Sequence, residues 1–466
     1  MTNAQSSQIL KCRDDHLPVR FSAIVDASMG APEQFSLDER STCSWATSGT
    51  AFGPDKLRAR IEPWLTALVQ SEHLSLLVGS GLTHAIHGIA RNETLPGMSA
   101  ANFGGMDARI SNEAKRAAGV AGRDGGNIED QIRAANELLR GLEILGEEKA
   151  DDAKGLRVAL TTALNDFAKA ILKGEHNLVT AALKQREEAF DYLVSFLMSF
   201  ASRAGTRERL QLFTTNYDRY VEAGADAAGL RLIDRFVGTL APVFRAPRLD
   251  VDLHYNPPGI RGEPRYLEGV ARFTKLHGSV DWVESDRTIR RIGLPFGAED
   301  PKTYLAAPGL ADADAMQLMI YPNAAKDRET ASYPYVELFR DFAAAVCRPN
   351  STLICYGYSF GDEHINRVIE DMLTIPSGHL VVMARSDPLG RIMAAYEKLG
   401  RHAQVTLLIG DHLGDLKALV NHYLPKPAID RTTFRMAELL NARWGASQTA
   451  PSVVAPIPDA AEEPSS

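Results

Sequence analysis

The sequence predicts an α/β protein built on a doubly wound, mostly parallel, Rossmann-like sheet with an inserted helical subdomain. Short apolar runs of strand length alternate with stretches whose apolar residues recur every three or four positions. This alternation is typical of parallel strands joined by helices that cover both faces of the sheet. The runs predicted as strands cover residues 74–78, 210–213, 230–233, 273–276, 318–321, 353–356, 380–383 and 405–409.

By pattern, the chain divides into a large central region with less regular ends. Residues 1–50 lack a sustained period and are interpreted as an N-terminal extension, whereas residues 51–425 form the predicted main domain. The C-terminal part predicts a helix over 426–445 and a disordered tail over 446–466.

Three segments of the main domain have their own patterns. Residues 56–70 predict a helix, and the glycine-rich residues 86–126 predict a mobile loop beside it. Residues 127–205 predict a helical insertion, whose apolar periodicity covers 132–145, 156–172 and 190–200.

Composition and charge limit the class of protein. The 466 residues are 45% hydrophobic and 24% charged, which is typical of a folded globular protein. The net charge of -8 argues against direct nucleic-acid binding, because that requires a surplus of basic residues. The four cysteines lack metal-module or disulfide spacing, and the sequence shows neither a secretory signal nor an apolar run of membrane-spanning length. We therefore expect a soluble, cytoplasmic protein that does not contact a membrane.

The first candidate for a functional site follows the strand over 74–78. Gly79 and Gly81 flank Ser80, and Thr83 follows closely. Glycines between a strand and a helix allow a pyrophosphate to approach the main chain, and the two hydroxyls are possible ligands. The same pattern also fits a tight turn without a ligand. Because His84 stands where a dehydrogenase fingerprint has its third glycine, a hydride-transfer enzyme is disfavoured.

Polar residues follow two further strands. Asn216 and Asp218 come after the strand over 210–213, and His277 comes after the strand over 273–276. Open α/β sheets bind their ligands at the carboxyl ends of strands, so these residues are candidates for a site. The alternatives are that Asn216 or Asp218 caps the next helix and that His277 has a structural role.

A fourth motif places Gly357 and Ser359 after the strand over 353–356, as a second phosphate- or ribose-binding turn or as a capped helix start. In this order, the four motifs resemble those of the sirtuin family. The closest resemblance is to bacterial sirtuin-like proteins of antiphage defence, through Thr-x-Asn-Tyr-Asp, Lys-Leu-His-Gly-Ser and Tyr-Gly-Tyr-Ser-Phe-x-Asp. The resemblance spans residues 74–422.

The resemblance implies a sheet of the sirtuin type that binds NAD⁺ as its substrate, contains no metal and hydrolyses the bond between nicotinamide and ribose. Asn216 and His277 match the catalytic residues, with Asn216 positioning the ribose and the attacking water. Asp218 is implied to face the nicotinamide carboxamide. The residues that match cofactor-binding positions are Gly79, Ser80, Gly81, Thr83, Thr215, Asp218, Gly357 and Ser359.

The chain departs from the protein-deacylating sirtuins, because it lacks the two Cys-x-x-Cys pairs of their structural zinc. NAD⁺ hydrolysis is therefore favoured over NAD-dependent protein deacylation. A non-catalytic NAD or nucleotide sensor subunit is the further alternative, because binding turns alone do not make an enzyme. The antiphage branch also implies a homo-oligomer, with an ATPase such as a HerA-type translocase or another defence subunit as partner.

Overall fold

A ten-stranded sheet forms the centre of the structure, a computed structural model that describes residues 7–24, 33–91, 93, 95–96, 99–120, 125–203, 207–246, 253–255, 265–285, 288–306, 310 and 333–427. The strands in chain order are β1 (Ser7–Lys11), β2 (Val19–Ile24), β3 (Gln34–Leu37), β4 (His73–Val78), β5 (Gln211–Thr214), β6 (Arg231–Ile233), β7 (Phe236–Val237), β8 (Val243–Phe244), β9 (His254–Tyr255), β10 (Arg265–Tyr266), β11 (Val270–Lys275), β12 (Trp282–Ser285), β13 (Thr288–Arg291), β14 (Ser351–Tyr356), β15 (His379–Ala384) and β16 (Val405–Ile409). Their order in the main sheet is β3-β2-β1-β16-β15-β14-β4-β5-β11-β6.

The direction of winding reverses in the middle of this sheet. From β4 the chain proceeds outward to β5 and later returns to β14, which pairs with the other side of β4. All neighbouring strands from β16 to β6 in the sheet order are parallel. The prediction of a doubly wound, mostly parallel α/β sheet is confirmed. The crevice beyond the carboxyl ends of β4 and β14 is the position where such sheets bind ligands.

Helices cover both faces of the sheet. They are α1 (Pro54–Val69), α2 (Ser80–Arg91), α3 (Asp107–Val120), α4 (Ile128–Ile144), α5 (Ala150–Val179), α6 (Leu183–Ala201), α7 (Tyr220–Ala227), α8 (Tyr335–Val346), α9 (Glu363–Leu373) and α10 (Arg391–Leu399). Shorter helical turns cover Gly104–Met106, Gly146–Lys149, Lys302–Ala306, His402–Gln404, Leu416–Ala418 and Leu419–Tyr423. Buried side chains of α1, α2, α6 and α7 pack on one face, and those of α8, α9 and α10 pack on the other.

The burial of the strands explains why continuous apolar runs predicted them correctly. In β4, Leu76 and Val78 belong to one hydrophobic core and Leu77 to the other, as expected of a strand buried on both faces. Every predicted strand within the described residues corresponds to a strand of the main sheet. The run over 318–321 lies outside the described residues, as do residues 428–466, which contain most of the predicted C-terminal helix and the whole tail.

The N-terminal segment contains three strands that the sequence analysis did not predict. β1 pairs antiparallel with β16, and β2 and β3 continue the sheet outward. Leu10, Phe21 and Phe35 of these strands are fully buried in the main core. Each strand has only 4 to 6 residues, so the alternation of apolar and polar positions is too short to stand out.

The glycine-rich segment 86–126 is more regular than predicted, because α2 extends to Arg91 and α3 covers Asp107–Val120. The buried face of α3 consists of Ile110, Ala114 and Ala118, at helical spacing. Alanine contributes little to a hydropathy pattern, so this amphipathic helix was not recognised in the sequence.

The predicted helical insertion is divided between two cores. α4 and α5 pack with α3 in a separate hydrophobic cluster, which also includes Tyr217 and residues beside the small sheet β12-β13-β8-β7. α6 instead packs on the main sheet, through residues such as Leu193 and Phe196. Only the first two of the three predicted helices therefore form an additional layer.

A buried ion pair connects this layer to the main sheet. Glu175 of α5 is fully buried, and Arg219, immediately before α7, is 7% exposed. The Arg219 backbone N–H donates to the Glu175 carboxylate at 2.8 Å, and the guanidinium donates to both carboxylate oxygens. Arg219 also donates to the carbonyl oxygens of Leu294 and Pro295. The pair fixes the segment that directly follows Asp218.

No helix among the described residues has the length and the apolar character needed to cross a membrane.

Removal of one partner of this ion pair is expected to destabilise the protein strongly. Arg219→Ala leaves the Glu175 carboxylate buried without its partner, and such losses typically cost about 3–5 kcal/mol. Denaturant unfolding of the purified variant measures the change. The control Arg116→Ala removes a solvent-exposed ion pair with Glu113 and should leave the unfolding curve unchanged. Equal stability of Arg219→Ala and the control would contradict this role of the pair.

Candidate active site

Four strand ends lie side by side at the carboxyl edge of the sheet. Tyr356 pairs with Val78, Val78 with Thr214, and Thr214 with Lys275. Each of the four sequence motifs continues directly beyond this row of strand ends. The fold therefore gathers at one edge the residues that the sequence analysis selected from distant parts of the chain.

The turns after β4 and β14 touch through their backbones. The Gly79 N–H donates to the Tyr356 carbonyl at 3.0 Å, and the Gly81 N–H donates to the Gly357 carbonyl at 3.1 Å. A Cβ on Gly79 would lie 2.4 Å from the Gly357 carbonyl oxygen, and one on Gly81 would lie 2.5 Å from the Gly357 Cα. Gly357 itself has a φ of +63°, in the left-handed region. All three glycines are thus required by this contact.

This contact refines the predicted role of the first glycine turn. Because the N–H groups of Gly79 and Gly81 bond to β14 and its turn, they are already used within the protein. Ser80, which is exposed, begins α2, and the N-terminus of a helix attracts negative charge. A phosphate at this edge would therefore meet Ser80 and the first turn of α2, with the glycines providing the close packing beneath.

Asn216 is held by the glycine turn. Its side-chain Nδ2 donates to the Gly79 carbonyl and to Thr83 Oγ1, both at 3.0 Å. Its backbone N–H donates to Thr214 Oγ1 at 3.1 Å, and the residue is 8% exposed. Because both N–H groups of the amide are used, the carbonyl Oδ1 is the atom with which Asn216 can accept a hydrogen bond from a ligand.

Asp218 ends the same chain of hydrogen bonds. Thr83 Oγ1 donates to one carboxylate oxygen at 2.7 Å, and the Tyr220 backbone N–H donates to the other at 3.2 Å. Asp218 thus links α2 to the first residue of α7, although it lies one position before the N-cap residue Arg219. The half-buried carboxylate keeps further lone pairs with which it can accept from a ligand.

Two further predicted residues line the same edge. Thr215 is half-buried, and its backbone N–H donates to the Val78 carbonyl at 3.2 Å. Ser359 is exposed between Tyr358 and Phe360, whose side chains are buried. Both positions lie next to the contact between the two turns.

His277 is positioned by the residues around it in the sequence. The buried Lys275 donates through Nζ to the Asp218 carbonyl and to the Glu222 carboxylate. Ser279 donates to the Tyr217 carbonyl at 3.3 Å. These bonds hold the turn after β11 against the turn after β5. His277 and Asn216 each lie two residues beyond the directly paired residues Lys275 and Thr214.

His277 has a partner that the sequence analysis did not identify. The Nε2 atoms of His277 and His364 lie 3.2 Å apart. His364, in the first turn of α9, is 8% exposed and packs edge-on against the Phe339 ring. Asp362 lies just before α9, and its carboxylate joins the two imidazoles in one cluster. The Asp-x-His spacing at the end of the fourth motif was the signal available in the sequence.

The described part of the chain contains two features that bear on metals and cofactors. Cys12, Cys43, Cys347 and Cys355 are all free thiols, and none is clustered with other metal-ligating residues among the described ones. His277, Asp362 and His364 do form a cluster with ligand atoms within 4.8 Å of one another. No metal was expected from the sequence, and this cluster was not anticipated.

A polar cleft also lies at the opposite, amino edge of the sheet. Its lining includes Glu208, His73 and Arg348. Glu208 bonds to His73 and to Arg348, with Arg348 at 2.8 Å, so these side chains are already paired within the protein. The chemistry expected of the motifs lies at the carboxyl edge, which we take as the candidate active site.

Part of the chain is similar to a known protein family. Residues 211–404 match the family model described as "SIR2-like domain". The match covers the motifs after β5, β11 and β14, and it begins beyond the glycine turn after β4. No curated protein matches the chain.

The contact between the two turns predicts that alanine destabilises the protein much more at Gly357 than at Gly390. Gly357 and Gly390 have φ values of +63° and +64°, but only the Cβ of Gly357→Ala meets backbone atoms, whereas Gly390 faces open space. Gly390→Ala should cost about 1 kcal/mol for the left-handed conformation alone. Gly357→Ala should cost at least ~3 kcal/mol, measured by denaturant unfolding, since the turns must separate. A similar cost in both variants would show that the turns do not pack as described.

Proposed function

We propose that this chain, which belongs to the sirtuin-like family, is an NAD⁺ glycohydrolase that cleaves the nicotinamide–ribose bond to nicotinamide and ADP-ribose. A SIR2-like domain supports an NAD-related function in general. The observation that carries the specific proposal is the arrangement of Asn216 and His277. Both lie two residues beyond the paired positions Thr214 and Lys275, at the carboxyl ends of the neighbouring strands β5 and β11.

The bond itself determines what such a site must supply. The nicotinamide nitrogen of NAD⁺ is cationic, so nicotinamide leaves as a neutral base and needs no acid, unlike an ordinary sugar leaving group. Positive charge develops on the ribose. The enzyme must fix the ribose, stabilise this charge and hold one water near the anomeric carbon.

Asn216 is suited to hold the ribose or the water. Its amide is immobilised by two hydrogen bonds, and its Oδ1 can accept from a ribose hydroxyl or from water. A fixed carbonyl dipole directed at developing positive charge stabilises the transition state without needing to reorganise. This preorganisation depends on the glycine turn, because Gly79 provides one of the two acceptors.

His277 is suited to accept the proton. In the proposed step, the bond between C1′ and nitrogen breaks with its electron pair going to nicotinamide, and a bond forms between C1′ and the oxygen of water. The proton released by the water passes to His277, directly or through a ribose hydroxyl. ADP-ribose and nicotinamide then leave, and His277 returns its proton to solvent.

The rest of the dinucleotide is assigned to the neighbouring turns. Ser80 and the start of α2 would bind the phosphates above the packed glycines Gly79 and Gly81, and Gly357 with Ser359 would lie under the adenosine half. Thr83 would lie beside the phosphates, and the half-buried Thr215 would be a further contact with the dinucleotide. Asp218 would accept a hydrogen bond from the nicotinamide carboxamide through the lone pairs that Thr83 and the α7 backbone leave.

Hydrolysis is preferred over protein deacylation for a structural reason. The deacylating sirtuins use a four-cysteine zinc module to help form the groove for an acylated peptide. Here the four cysteines are free, and α4 and α5 form a separate layer with the small antiparallel sheet. A route for water to the ribose needs no such groove.

We also propose, from the resemblance of the motifs to the antiphage branch, that NAD⁺ depletion serves defence against phage. Because uncontrolled loss of NAD⁺ would kill the host, activity would require gating by a homo-oligomer or by a partner such as a HerA-type ATPase. The native mass of the full chain tests the first of these. Deletion of residues 1–50 is unsuited as a test, because it removes β1, β2 and β3 from the main sheet.

Replacement of either catalytic residue should abolish nicotinamide release. In Asn216→Ala the ribose and the water lose their acceptor, and in His277→Ala the proton acceptor is lost, an effect typically worth about 10²- to 10⁴-fold. Nicotinamide is quantified by chromatography, and the thermal unfolding midpoint checks the fold. The control His16→Ala removes an exposed histidine and should retain the wild-type rate. A wild-type rate in either catalytic variant would refute the mechanism.

The three possible activities differ in what nicotinamide release requires. A hydrolase should release nicotinamide and ADP-ribose from NAD⁺ alone, in equal amounts. A deacylase should release nicotinamide only with an acetylated peptide, and a sensor should bind NAD⁺ without consuming it. Incubation of the purified protein with NAD⁺, with and without the peptide, separates these outcomes. Dependence on the peptide, or binding without turnover, would exclude the proposed hydrolase.

A further inference from the structure

The histidine pair at the carboxyl edge is part of a cluster with three potential ligand atoms. His277 and His364 face each other through Nε2 at 3.2 Å. One ring nitrogen of each histidine and a carboxylate oxygen of Asp362 all lie within 4.8 Å of one another. The three residues come from the turn after β11 and from the start of α9, so the fold, and not sequence proximity, brings the pair together.

The separation of the two nitrogens matches joint coordination of one ion. With metal–nitrogen bonds of about 2.0–2.1 Å, two imidazole ligands lie roughly 3.3 Å apart in tetrahedral geometry and roughly 2.9 Å apart in octahedral geometry. The observed 3.2 Å lies between these values. A carboxylate oxygen of Asp362 lies within 4.8 Å of a ring nitrogen of each histidine, which makes Asp362 the candidate for a third ligand.

The backbone under Asp362 is fixed before any ion arrives. Its carbonyl accepts from the backbone N–H groups of Ile365 and Asn366, at 3.1 and 3.0 Å, and from the Tyr358 hydroxyl at 3.2 Å. Its side chain does not cap α9, and its carboxylate lies near the histidines instead. A ligand held on a rigid element loses little entropy on binding a metal.

His364 is equally well fixed. It is 8% exposed, and its ring packs at 80° against Phe339 with 4.7 Å between centroids. His277 is half-buried and lies 6.5 Å from the Tyr217 ring. Apolar rings around a metal site exclude water and hold the imidazoles in position.

The donor set selects the class of ion. Two imidazoles and one carboxylate suit Zn²⁺ and neighbouring divalent transition metals, whereas Mg²⁺ and Ca²⁺ prefer oxygen ligands alone. Three protein ligands leave at least one coordination position open to water. Among the residues that the structure describes, this is the one group of three such side chains within ligand distance.

We propose that His277, Asp362 and His364 bind one divalent transition-metal ion, with Zn²⁺ as the representative, and that the bound ion inhibits the enzyme. The second part rests on the proposed function. An ion on His277 Nε2 occupies the lone pair that would accept the proton. It also places positive charge beside a cationic nicotinamide and a transition state that builds up more positive charge, which is unfavourable.

Metal binding is measured first, without reference to activity. Full-length protein stripped with a chelator is titrated with Co²⁺ by visible absorption and with Zn²⁺ in competition with a chromophoric chelator. We expect one ion per chain and no cobalt–thiolate charge-transfer band. Asp362→Asn and His364→Ala should weaken binding at least ~10-fold, while His16→Ala should bind as the wild type does. Thermal unfolding of each variant confirms its fold, and Asp362→Asn keeps the shape of the side chain.

Nicotinamide release is then measured against Zn²⁺ concentration. Wild type should be inhibited over the range in which it binds Zn²⁺, and Asp362→Asn should need at least ~10-fold more Zn²⁺ for the same inhibition. Absence of binding, equal binding in the variants, or a thiolate band would overturn the site. Wild-type activity at saturating Zn²⁺ would overturn inhibition. A protein that binds the metal as expected but never consumes NAD⁺ would leave the site standing and refute the proposed function.

Discussion

The contact between the backbones of Gly79, Gly81 and Gly357 is the constraint on which the candidate site depends. It brings the turns after β4 and β14 together at the point where the sheet reverses its winding. A side chain on any of these glycines would force the turns apart. The Gly79 carbonyl would then move away from Asn216, so the fixed position of that amide follows from the packing of glycines on a different strand. Packing and chemistry at this edge are therefore inseparable.

A second layer of bonds connects the remaining motifs to this contact. The chain from Gly79 through Asn216 and Thr83 to Asp218 spans two segments that are far apart in the sequence. Lys275 then fastens the turn bearing His277 to the Asp218 carbonyl. These bonds join turns that follow neighbouring strands. A substitution in one motif is therefore expected to displace residues of the adjacent motifs as well. Coupling of this kind is typical of preorganised sites.

The sequence predicted correctly those strands whose burial in the fold produces a recognisable apolar pattern along the chain. Strands buried on both faces are continuous apolar runs, and the residues after them fall at the ligand-binding edge whatever the details of packing. The N-terminal strands were missed because each is short, and α3 was missed because its buried face is largely alanine. His364 was missed for a different reason: its role depends on which turn lies opposite α9, and only the three-dimensional pairing with His277 reveals that.

The distribution of charge at the carboxyl edge suits a reaction that builds positive charge. The two buried cations nearest the motifs already have partners, since Lys275 donates to Glu222 and Arg219 pairs with Glu175. In the proposed reaction, a cationic nicotinamide–ribose would therefore meet no uncompensated positive charge from these residues, and would lie near the Asn216 carbonyl, an imidazole and the Asp218 carboxylate. The same imidazole is shared with Asp362 and His364, an arrangement that attracts a metal cation as readily as it accepts a proton. In the proposed mechanism, His277 would therefore be the site of competition between a proton and a metal ion, and binding of the metal would prevent turnover.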